Sequence, residues 1–484
     1  MHKQLRHISI ATLAMFLALF VSLSIIQVFA VDELRADGRN VRTLFASYSA
    51  ERGPILVAGE PIAQSRPVDN EFRFLREYLE PELYSAVTGY FSLNQGTTGI
   101  ESAFNDFLTG TANEQFLDQL SALVTGQNPR GAAVELTLDR AVQQAAYDAM
   151  GELRGSVVAI EPSTGRILAM VSTPGFDPNR LAAHRTSSVI DAYNELISDP
   201  LRPLNNRAIA GDLYFPGSVF KVLVTAAAID SGEFEPESEF PNPPRLQLPL
   251  STNVISNAEG GNCGGQETVT LATSLRLSCN IPFAELALEL GQDELNDYAE
   301  AFGFGQSIEV PMAATPSQYP QNLDDAQLML TGFGQYDVRV TPLQIAMISA
   351  AIANGGELMQ PTLLERIIAP DLSTVQASEP QVFAEPISRG TANTLTRMLV
   401  DGVSDGVAFN AQIPGVEVAG KTGTAENGAG QPFTLWFTGF APADNPQVAV
   451  AVVVEDGGGQ GQNAFGNQVA APIARQVMEA VLNR

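Results

Sequence analysis

Apolar residues form one long uninterrupted run near the start of the chain. This run, from Ile8 to Ala30, carries no charged side chain and is long enough to cross a bilayer as a helix. Lys3 and Arg6 precede it, so the positive-inside rule places the short tail in the cytoplasm and the chain from Val31 onwards outside. The run therefore predicts a single retained membrane anchor. A cleaved signal peptide ending at Val28-Phe29-Ala30 is the alternative.

After this run, shorter apolar segments alternate with turn-forming residues, which is typical of packed strands and helices. With residues 1–7 as the tail and 8–30 as the anchor, we expect a small pedestal domain at 31–150 and one larger domain at 151–484. The predicted elements are a strand at Val134–Leu138, a helix from Asp139, a hairpin of Val157–Ile160 and Ile167–Val171, strands at Val416–Thr424, Thr434–Phe440 and Val448–Glu455, and a last helix at Ala471–Leu482.

Composition narrows the class of protein. A length of 484 residues fits two or three domains, and 45% hydrophobic residues are enough for a large core. The formal net charge of −27 leaves no basic stripe for a phosphate backbone, so we expect no nucleic-acid partner. Only His184 lies beyond the N-terminal tail, which leaves one candidate base for a serine–histidine–aspartate triad and excludes a multi-histidine metal site. His184 sits in a polar stretch and is expected at the surface.

Lysine is scarce, and its positions carry information. The chain has three lysines, and the two beyond the tail lie in Ser218-x-x-Lys221 and Lys421-Thr422-Gly423. A buried lysine can lose its proton near neutral pH and act as a base, whereas arginine stays charged. A compositional bias towards arginine is the alternative explanation, but it gives no reason for the surviving lysines to fall in these motifs.

Ser218 is the candidate nucleophile. It follows a Phe215-Pro216-Gly217 turn and opens an apolar, helix-like run from Val219 to Ile229. Lys221 lies one helical turn further on, on the same face, close enough to hydrogen-bond the serine hydroxyl as its base. On its own the motif is weak, because most Ser-x-x-Lys pairs are exposed helix residues.

A second polar motif, Ser278-Cys279-Asn280, falls between the helical runs Thr270–Leu277 and Pro282–Leu290. Its hydroxyl and carboxamide suit proton relay and substrate binding, while ordinary helix capping is the alternative. Cys279 and Cys263 make an even pair in an exported chain, which favours a disulfide over two free thiols.

Lys421-Thr422-Gly423-Thr424 follows a strand-like segment, and its ammonium and hydroxyls suit a carboxylate ligand. Glycine at 423 would allow another chain to approach the strand closely.

We also expect three loops to rim a cleft, or else to be plain solvated connections. These loops are Glu233–Pro244, Asn257–Gly265 and Gly457–Asn467.

In the order Ser-x-x-Lys, Ser-x-Asn, Lys-Thr-Gly, these motifs form the signature set of penicillin-binding proteins and related β-lactamases. The chain resembles the class B, monofunctional penicillin-binding proteins over nearly all of its exported part, and its short pedestal and single anchor are most similar to the actinobacterial penicillin-binding protein A group. The similar stretches include Arg52-Gly53-Pro54-Ile55, Gly96-Thr97-Thr98-Gly99-Ile100-Glu101, Phe176-Asp177-Pro178-Asn179, Thr341-Pro342-Leu343-Gln344, Ala353-Asn354-Gly355-Gly356 and Trp436-Phe437-Thr438-Gly439-Phe440.

The resemblance implies an α/β (α+β) fold of the penicillin-binding and β-lactamase-like type, with an antiparallel sheet flanked by helices. It also implies a peptidoglycan D,D-transpeptidase that cross-links stem peptides without a cofactor or metal and is acylated by β-lactams. Ser218 would be the nucleophile, Lys221 the base, and Ser278 and Asn280 the proton relay and substrate holder. The substrate carboxylate would be received by Lys421, Thr422, Gly423 and Thr424.

The resemblance further implies a catalytic domain outside a cell membrane and a multi-span membrane glycosyltransferase as partner, since the pedestal is too short to polymerise glycan.

Two departures from the family pattern are Gly332-Phe333-Gly334-Gln335, where Gly-Gln-Gly is frequent, and the cysteine within Ser-x-Asn. Rival interpretations are a D,D-carboxypeptidase, a β-lactamase, or a wall-synthesis scaffold or β-lactam sensor without turnover. The deacylation motif Glu-x-x-Leu-Asn of class A β-lactamases has glutamine at Gln292 here.

Overall fold

The computed structural model describes residues 2–26, 50–115, 130–211, 213–258 and 260–484. Helix α1 spans His2–Ser24, and among the described residues it is the one helix long and apolar enough to cross a membrane. It begins at His2 rather than at the predicted Ile8, because the polar tail continues the same helix. Residues 27–30 of the predicted span, with the alternative cleavage site, lie outside the described residues. One N-terminal apolar helix fits a single-pass membrane protein.

The first globular part is built around a six-stranded sheet of order β15-β14-β6-β1-β2-β3. The two strands at one side of this sheet, β14 and β15, come from far along the chain, and β14 pairs antiparallel with β6. The elements are β1 Ile55–Val57, β2 Glu60–Pro67, β3 Phe74–Tyr78, α2 Pro81–Thr88, β4 Phe91–Ser92, β5 Gly96–Thr97, α3 Gly99–Ala103, α4 Asn105–Thr109, β6 Ala133–Leu136, β14 Leu364–Ile368 and β15 Thr374–Ala377.

A buried ion cluster closes this part of the molecule. Glu101 is fully buried and accepts from Arg52 Nε at 2.5 Å and from Arg76 Nε at 2.6 Å. The Arg52-Gly53-Pro54 and Gly96-to-Glu101 stretches, recognised separately in the sequence, therefore meet through their charged ends. Burial raises the pKa of Glu101, but the two guanidinium charges outweigh this effect and hold its pKa below the usual value.

A five-stranded antiparallel sheet of order β17-β18-β19-β7-β8 forms the second core. Side chains alternate between its faces, as along any strand. Ala449, Ala451 and Val453 of β19 belong to the core cluster that contains α13, while Val450 and Val452 belong to the cluster that contains α15. The strands are β7 Gly155–Ile160, β8 Ile167–Thr173, β17 Ala419–Ala425, β18 Thr434–Ala441 and β19 Val448–Val454, and the two covering helices are α13 Pro342–Ala353 and α15 Gly466–Leu482.

Helices and short strands complete this domain between β8 and β17. Helix α5, although it lies before residue 151, packs against the C-terminal helix α15. The remaining elements are α5 Arg140–Met150, α6 Asn179–Ala182, α7 Thr186–Ser198, α8 Lys221–Asp230, β9 Glu239–Pro241, β10 Arg245–Gln247, β11 Val254–Ser256, β12 Thr268–Thr270, α9 Leu271–Leu277, α10 Ile281–Leu290, α11 Gln292–Ala301, α12 Asp325–Thr331, β13 Leu358–Met359, β16 Val382–Ala384 and α14 Arg389–Ser404.

The predicted fold class is confirmed, and each predicted element has a counterpart within a few residues. Asp139 caps α5 by accepting from the N–H groups of Ala141 and Val142, as its position before the apolar run indicated. The final helix begins five residues earlier than predicted, at Gly466 rather than Ala471. The boundary predicted at residue 150 stays a prediction.

We expect Glu101→Gln to lower the free energy of unfolding by about 3–5 kcal/mol, because two buried guanidinium groups lose their compensating charge. Urea denaturation followed by far-ultraviolet circular dichroism measures the change. Glu77→Gln is the control, since the Arg66–Glu77 pair is 3.8 Å apart and 56% and 34% exposed, and its loss should cost less than about 1 kcal/mol. Equal effects of the two changes would contradict the assignment.

Candidate active site

Ser218 lies in a tight turn that feeds a helix, as its sequence context predicts. Gly217–Val219 form one 3₁₀ turn, and α8 follows from Lys221. Gly217 has φ +53°, and its N–H donates to the carbonyl of Gly334 at 3.0 Å. A Cβ on Gly334, which has φ +73°, would lie 2.2 Å from the Gly217 oxygen. Both glycines are therefore required where the two turns touch.

Lys221 is fully buried. Its Nζ donates to the carbonyl of Ser278 and to Asn280 Oδ1, each at 2.8 Å. Burial, together with the charge of Lys421, holds the pKa of Lys221 well below its ordinary value. A neutral amine has two N–H bonds and one lone pair, so these two acceptors leave the lone pair unused.

The direct hydrogen bond that the helical spacing predicted between Lys221 and Ser218 is not formed. The Lys221 bonds found among the described residues go to the Ser-x-Asn motif, since that motif supplies two acceptors inside the protein. Lys221 thus connects its own Ser-x-x-Lys motif to the Ser-x-Asn motif. Helical spacing alone does not predict this contact, because the two motifs are far apart in the sequence.

Ser278 occupies the junction between α9 and α10 in the left-handed conformation, with φ 61° and ψ 37°. Its carbonyl accepts from Lys221, and its hydroxyl accepts from Lys421 Nζ at 2.7 Å. One residue therefore touches both buried lysines.

The capping alternative for Asn280 does not hold. Its side chain makes no bond to the N–H groups of α10, and its amide instead donates to the Ser256 carbonyl at 3.1 Å. The cap comes from Asn257, whose Oδ1 accepts from the N–H groups of Asn280 at 2.9 Å and Ile281 at 3.2 Å. The Asn280 side chain is consequently not used for capping and contacts Lys221 instead.

A disulfide between Cys263 and Cys279 ties the glycine-rich loop to this junction, with a Cα–Cα distance of 5.8 Å. Asn242 reinforces the same loop, because its amide donates to the carbonyls of Cys263 at 2.7 Å and Gln266 at 2.8 Å. The loop predicted at Asn257–Gly265 is thus a structural support of the Ser-x-Asn segment.

Lys421 lies on β17, the edge strand of the five-stranded sheet, and is only 2% exposed. Besides Ser278, its ammonium reaches the carbonyl of Thr422 at 2.9 Å. Burial lowers the pKa of Lys421 to about 7. The outer edge of β17 has main-chain groups that β18 does not use, and an extended peptide can pair there.

Gly423 permits the close packing that its sequence position predicted. A Cβ there would lie 3.1 Å from the Pro216 carbonyl oxygen and 3.0 Å from Trp436 Cβ. The turn before Ser218 therefore rests directly on β17. Thr424 Oγ1 accepts from the N–H of Gly466 at 3.2 Å, which connects the end of the third predicted loop to the same strand.

His184 lies away from these groups. It is partly exposed, its Nδ1 is 3.0 Å from Asn70 Nδ2, and its ring centroid is 4.6 Å from that of Phe72. Across the described ranges, no group of three or more His, Cys, Asp or Glu side chains is arranged to hold a metal ion. The contacts that do form join Ser278, Asn280 and two lysines beside the Ser218 turn, and this set suits acyl transfer through a serine.

Comparisons with known proteins agree with this geometry. The family profile described as "Penicillin binding protein transpeptidase domain" matches residues 155–479, and "Penicillin binding protein A dimerisation domain" matches residues 52–134. Peptidoglycan D,D-transpeptidase PbpA of Mycolicibacterium smegmatis is 43% identical across 100% of this chain and 99% of its own length. The chain belongs to the penicillin-binding protein transpeptidase family.

Other relatives extend the comparison of this penicillin-binding protein. PbpA of Mycobacterium tuberculosis is 41% identical, again across 100% of this chain and 99% of its own length. The solved structure of penicillin-binding protein A from M. tuberculosis as a ceftriaxone acyl-enzyme has a TM-score of 0.87 and 40% identity, covering 90% of this chain and 100% of that one. The resemblance drawn from the motifs is thereby confirmed.

Sequence reasoning missed several residues that shape the site of this penicillin-binding protein. Asn257 could have been suspected from its place in a glycine-rich loop, but its contacts with Asn280 and Ile281 needed the fold. Trp436 is the chain's one tryptophan, and its indole N–H donates to the Phe215 carbonyl at 3.0 Å. That bond joins segments more than 200 residues apart, so the sequence around either residue does not predict it.

We expect Lys421→Met to stabilise the protein by about 2–4 kcal/mol at pH 6, because burying an ammonium is costly. The folded pKa is about 7 and the unfolded value about 10.4, so between these pH values the unfolded wild type holds the extra proton. Wild-type stability therefore rises with pH across this window, and the advantage of the variant shrinks towards pH 10. Urea denaturation at several pH values tests this, and a pH-independent difference would contradict the pKa assignment.

Proposed function

We propose that the chain is a peptidoglycan D,D-transpeptidase working through a Ser218 acyl-enzyme. The observation that carries this is the pair of buried lysines that share Ser278, next to a Ser218 turn that packs against the strand of Lys421. The names of the full-length relatives, peptidoglycan D,D-transpeptidase, support the same activity.

In acylation, Ser218 Oγ attacks the carbonyl carbon of the peptide bond between the two terminal D-alanines of a stem peptide. Lys221 takes the serine proton on its lone pair, which its low pKa and its two occupied N–H bonds leave available. The carbon–nitrogen bond breaks, terminal D-alanine leaves with a proton, and an ester joins the stem peptide to Ser218.

We assign the proton transfer to the leaving amine to the Ser278 hydroxyl, which already bonds Lys421 Nζ. Asn280 holds Lys221 through Oδ1 and is assigned contact with the substrate amide. A proton relay needs a hydroxyl and an amine at hydrogen-bond spacing, and the 2.7 Å contact between Ser278 Oγ and Lys421 Nζ supports this assignment.

The substrate's terminal carboxylate is assigned to Lys421 with Thr422 and Thr424, and Gly423 keeps the strand close to the nucleophile turn. The backbone N–H groups of Ser218 and Thr424 are assigned to the oxyanion hole. Such a donor contributes roughly 3 kcal/mol to transition-state stabilisation in acyl-transfer enzymes.

An amine from a neighbouring stem peptide then attacks the ester carbonyl, forms the cross-link and returns the proton to Ser218. A β-lactamase or D,D-carboxypeptidase would deliver the acyl group to water instead. Gln292 offers no carboxylate for activating water, and its Oε1 already accepts from the N–H of Leu323 at 2.7 Å. The glutamine argues against a class A β-lactamase, and the names of the full-length relatives support transfer to an amine.

The same proposal covers topology and partners. The α1 helix is assigned as a retained anchor with its N-terminus in the cytoplasm and Ser218 outside the membrane, because Lys3 and Arg6 precede the apolar run. Glycan polymerisation is assigned to a multi-span membrane glycosyltransferase. β-lactams are assigned as covalent ligands of Ser218.

Incubation with benzylpenicillin tests the nucleophile. The wild type should gain one adduct that persists for hours, and Ser218→Ala should gain none while keeping its melting temperature. Intact-mass spectrometry reads both results, with Ser231→Ala as a control at the far end of α8. Labelling of folded Ser218→Ala would refute the assignment, and rapid loss of the wild-type adduct with consumption of the antibiotic would favour a hydrolase.

The wild-type second-order acylation rate should fall as pH rises through about 7, because the Lys421 ammonium assigned to the carboxylate loses its proton there. Lys421→Arg should be at least about tenfold slower, since a planar guanidinium does not fit a site shaped for a compact charge. It should also lack the fall near pH 7, because arginine stays charged. Wild-type speed, or an unchanged pH profile, would count against this role.

A further inference from the structure

The backbone just before Ser218 is held by a network centred on Glu455, at the end of β19. Glu455 is 14% exposed, and its Oε1 accepts from Arg207 Nε at 2.9 Å and from the Tyr214 hydroxyl at 2.6 Å. Its other oxygen accepts from Arg154. The carboxylate thus accepts from three side chains, two of which lie in the connection that leads to Ser218.

Arg207 is 5% exposed and is itself fixed by the backbone. Its Nη2 donates to the Leu201 carbonyl at 2.5 Å, and its backbone N–H donates to Ser172 Oγ at 3.1 Å. Burial would raise the pKa of Glu455, but the Tyr214 hydroxyl and the two guanidinium charges outweigh it and keep the pKa low. The acceptor offered to Tyr214 is therefore a charged one, which gives a stronger hydrogen bond than a neutral acceptor.

Tyr214 connects Glu455 to the residues next to Ser218 through its contact with Trp436. Its ring packs edge-on against Trp436, with centroids 5.8 Å apart at 86°. The Trp436 indole then donates to the carbonyl of Phe215 at 3.0 Å. The backbone of Tyr214 is also paired with Val340 through two hydrogen bonds of 3.0 and 2.9 Å.

Trp436 also sets the distance to the carboxylate-binding strand. In the β17–β18 pairing it lies opposite Gly423, and its Cβ and the Pro216 carbonyl both pack against that glycine. The Trp436 indole therefore bonds the turn before Ser218 through its N–H, while its backbone belongs to β18, the strand paired with the Lys421 strand β17. A shift of the Tyr214 ring would move the Trp436 indole that packs against it. The Phe215 backbone, and with it Ser218, would then move relative to β17.

We propose that Glu455 and Tyr214 are positioning residues for the acylation step, acting through the Trp436–Phe215 hydrogen bond to hold Ser218 in register with Lys421. This rests on the proposed transpeptidase function. Neither residue is assigned contact with substrate. Loss of the Tyr214 hydroxyl removes the hydrogen bond that ties this ring to Glu455. A misplacement of about 1 Å at a reacting atom can cost about 100-fold in rate, so a smaller shift accounts for a tenfold loss.

The test measures the rate of acylation and the strength of non-covalent binding as two separate quantities. Full-length protein in detergent is mixed with increasing benzylpenicillin in a quenched-flow experiment, which yields the dissociation constant of the non-covalent complex and the first-order acylation rate. Tyr214→Phe should lower the acylation rate about tenfold while changing the dissociation constant less than twofold, in a protein that stays folded. Its melting temperature should fall somewhat, because a hydrogen bond to a charged acceptor is lost. Tyr147→Phe is the matched control, because it removes a hydroxyl that bonds Glu82 at 3.2 Å in a partly exposed place away from Ser218, and it should change neither constant.

Glu455→Gln should lower the same rate, and the Tyr214→Phe/Glu455→Gln double variant should be no slower than the slower single variant, since both act through one hydroxyl. If Glu455→Gln does not fold, Tyr214→Phe alone decides. A folded Tyr214→Phe with the wild-type acylation rate, or a loss that appears only in the dissociation constant, would overturn the inference. Failure of the wild type to form any adduct would instead refute the proposed function.

Discussion

Two lysines buried within reach of one serine impose the main constraint on this structure. Lys221 and Lys421 each contact Ser278, one through its carbonyl and the other through its hydroxyl. Burial lowers the pKa of both lysines, and the charge of Lys421 lowers the pKa of Lys221 further. This lowering favours the uncharged amine that the proposed base requires, and burying both lysines costs folding stability.

The surrounding fold keeps this unfavourable pair in place. Ser278 adopts a left-handed conformation that few non-glycine residues take, and Asn257 and the Cys263–Cys279 disulfide brace the junction around it. On the other side, the turn before Ser218 rests on β17 at Gly423 without an intervening side chain. The geometry of the lysines thus depends on groups drawn from the loop, the sheet and the helix together.

Much of the site was predictable because its chemistry is concentrated in three short motifs. Ser218 and Lys221 are joined by helical spacing, and Lys421 sits on a strand that its apolar neighbours indicate. The Lys221 contacts with Ser278 and Asn280 were not predictable, because they join segments about 57 residues apart and hydrogen-bond choice depends on the packed geometry. The same limit applies to β14 and β15, whose return to the pedestal sheet is a pairing across more than 200 residues.

The protonation state of Lys221 is the property on which this mechanism depends most, and the scarcity of lysine makes it measurable. In protein labelled with ¹³C-lysine, Lys3, Lys221 and Lys421 give three side-chain signals, which Lys421→Arg and removal of the tail would assign. We expect the Lys221 Cε signal to titrate well below the ordinary lysine range, because burial and the charge of Lys421 lower the pKa of Lys221. A Lys221 signal that stays that of an ammonium group up to pH 10 would contradict the proposed role of Lys221 as the base.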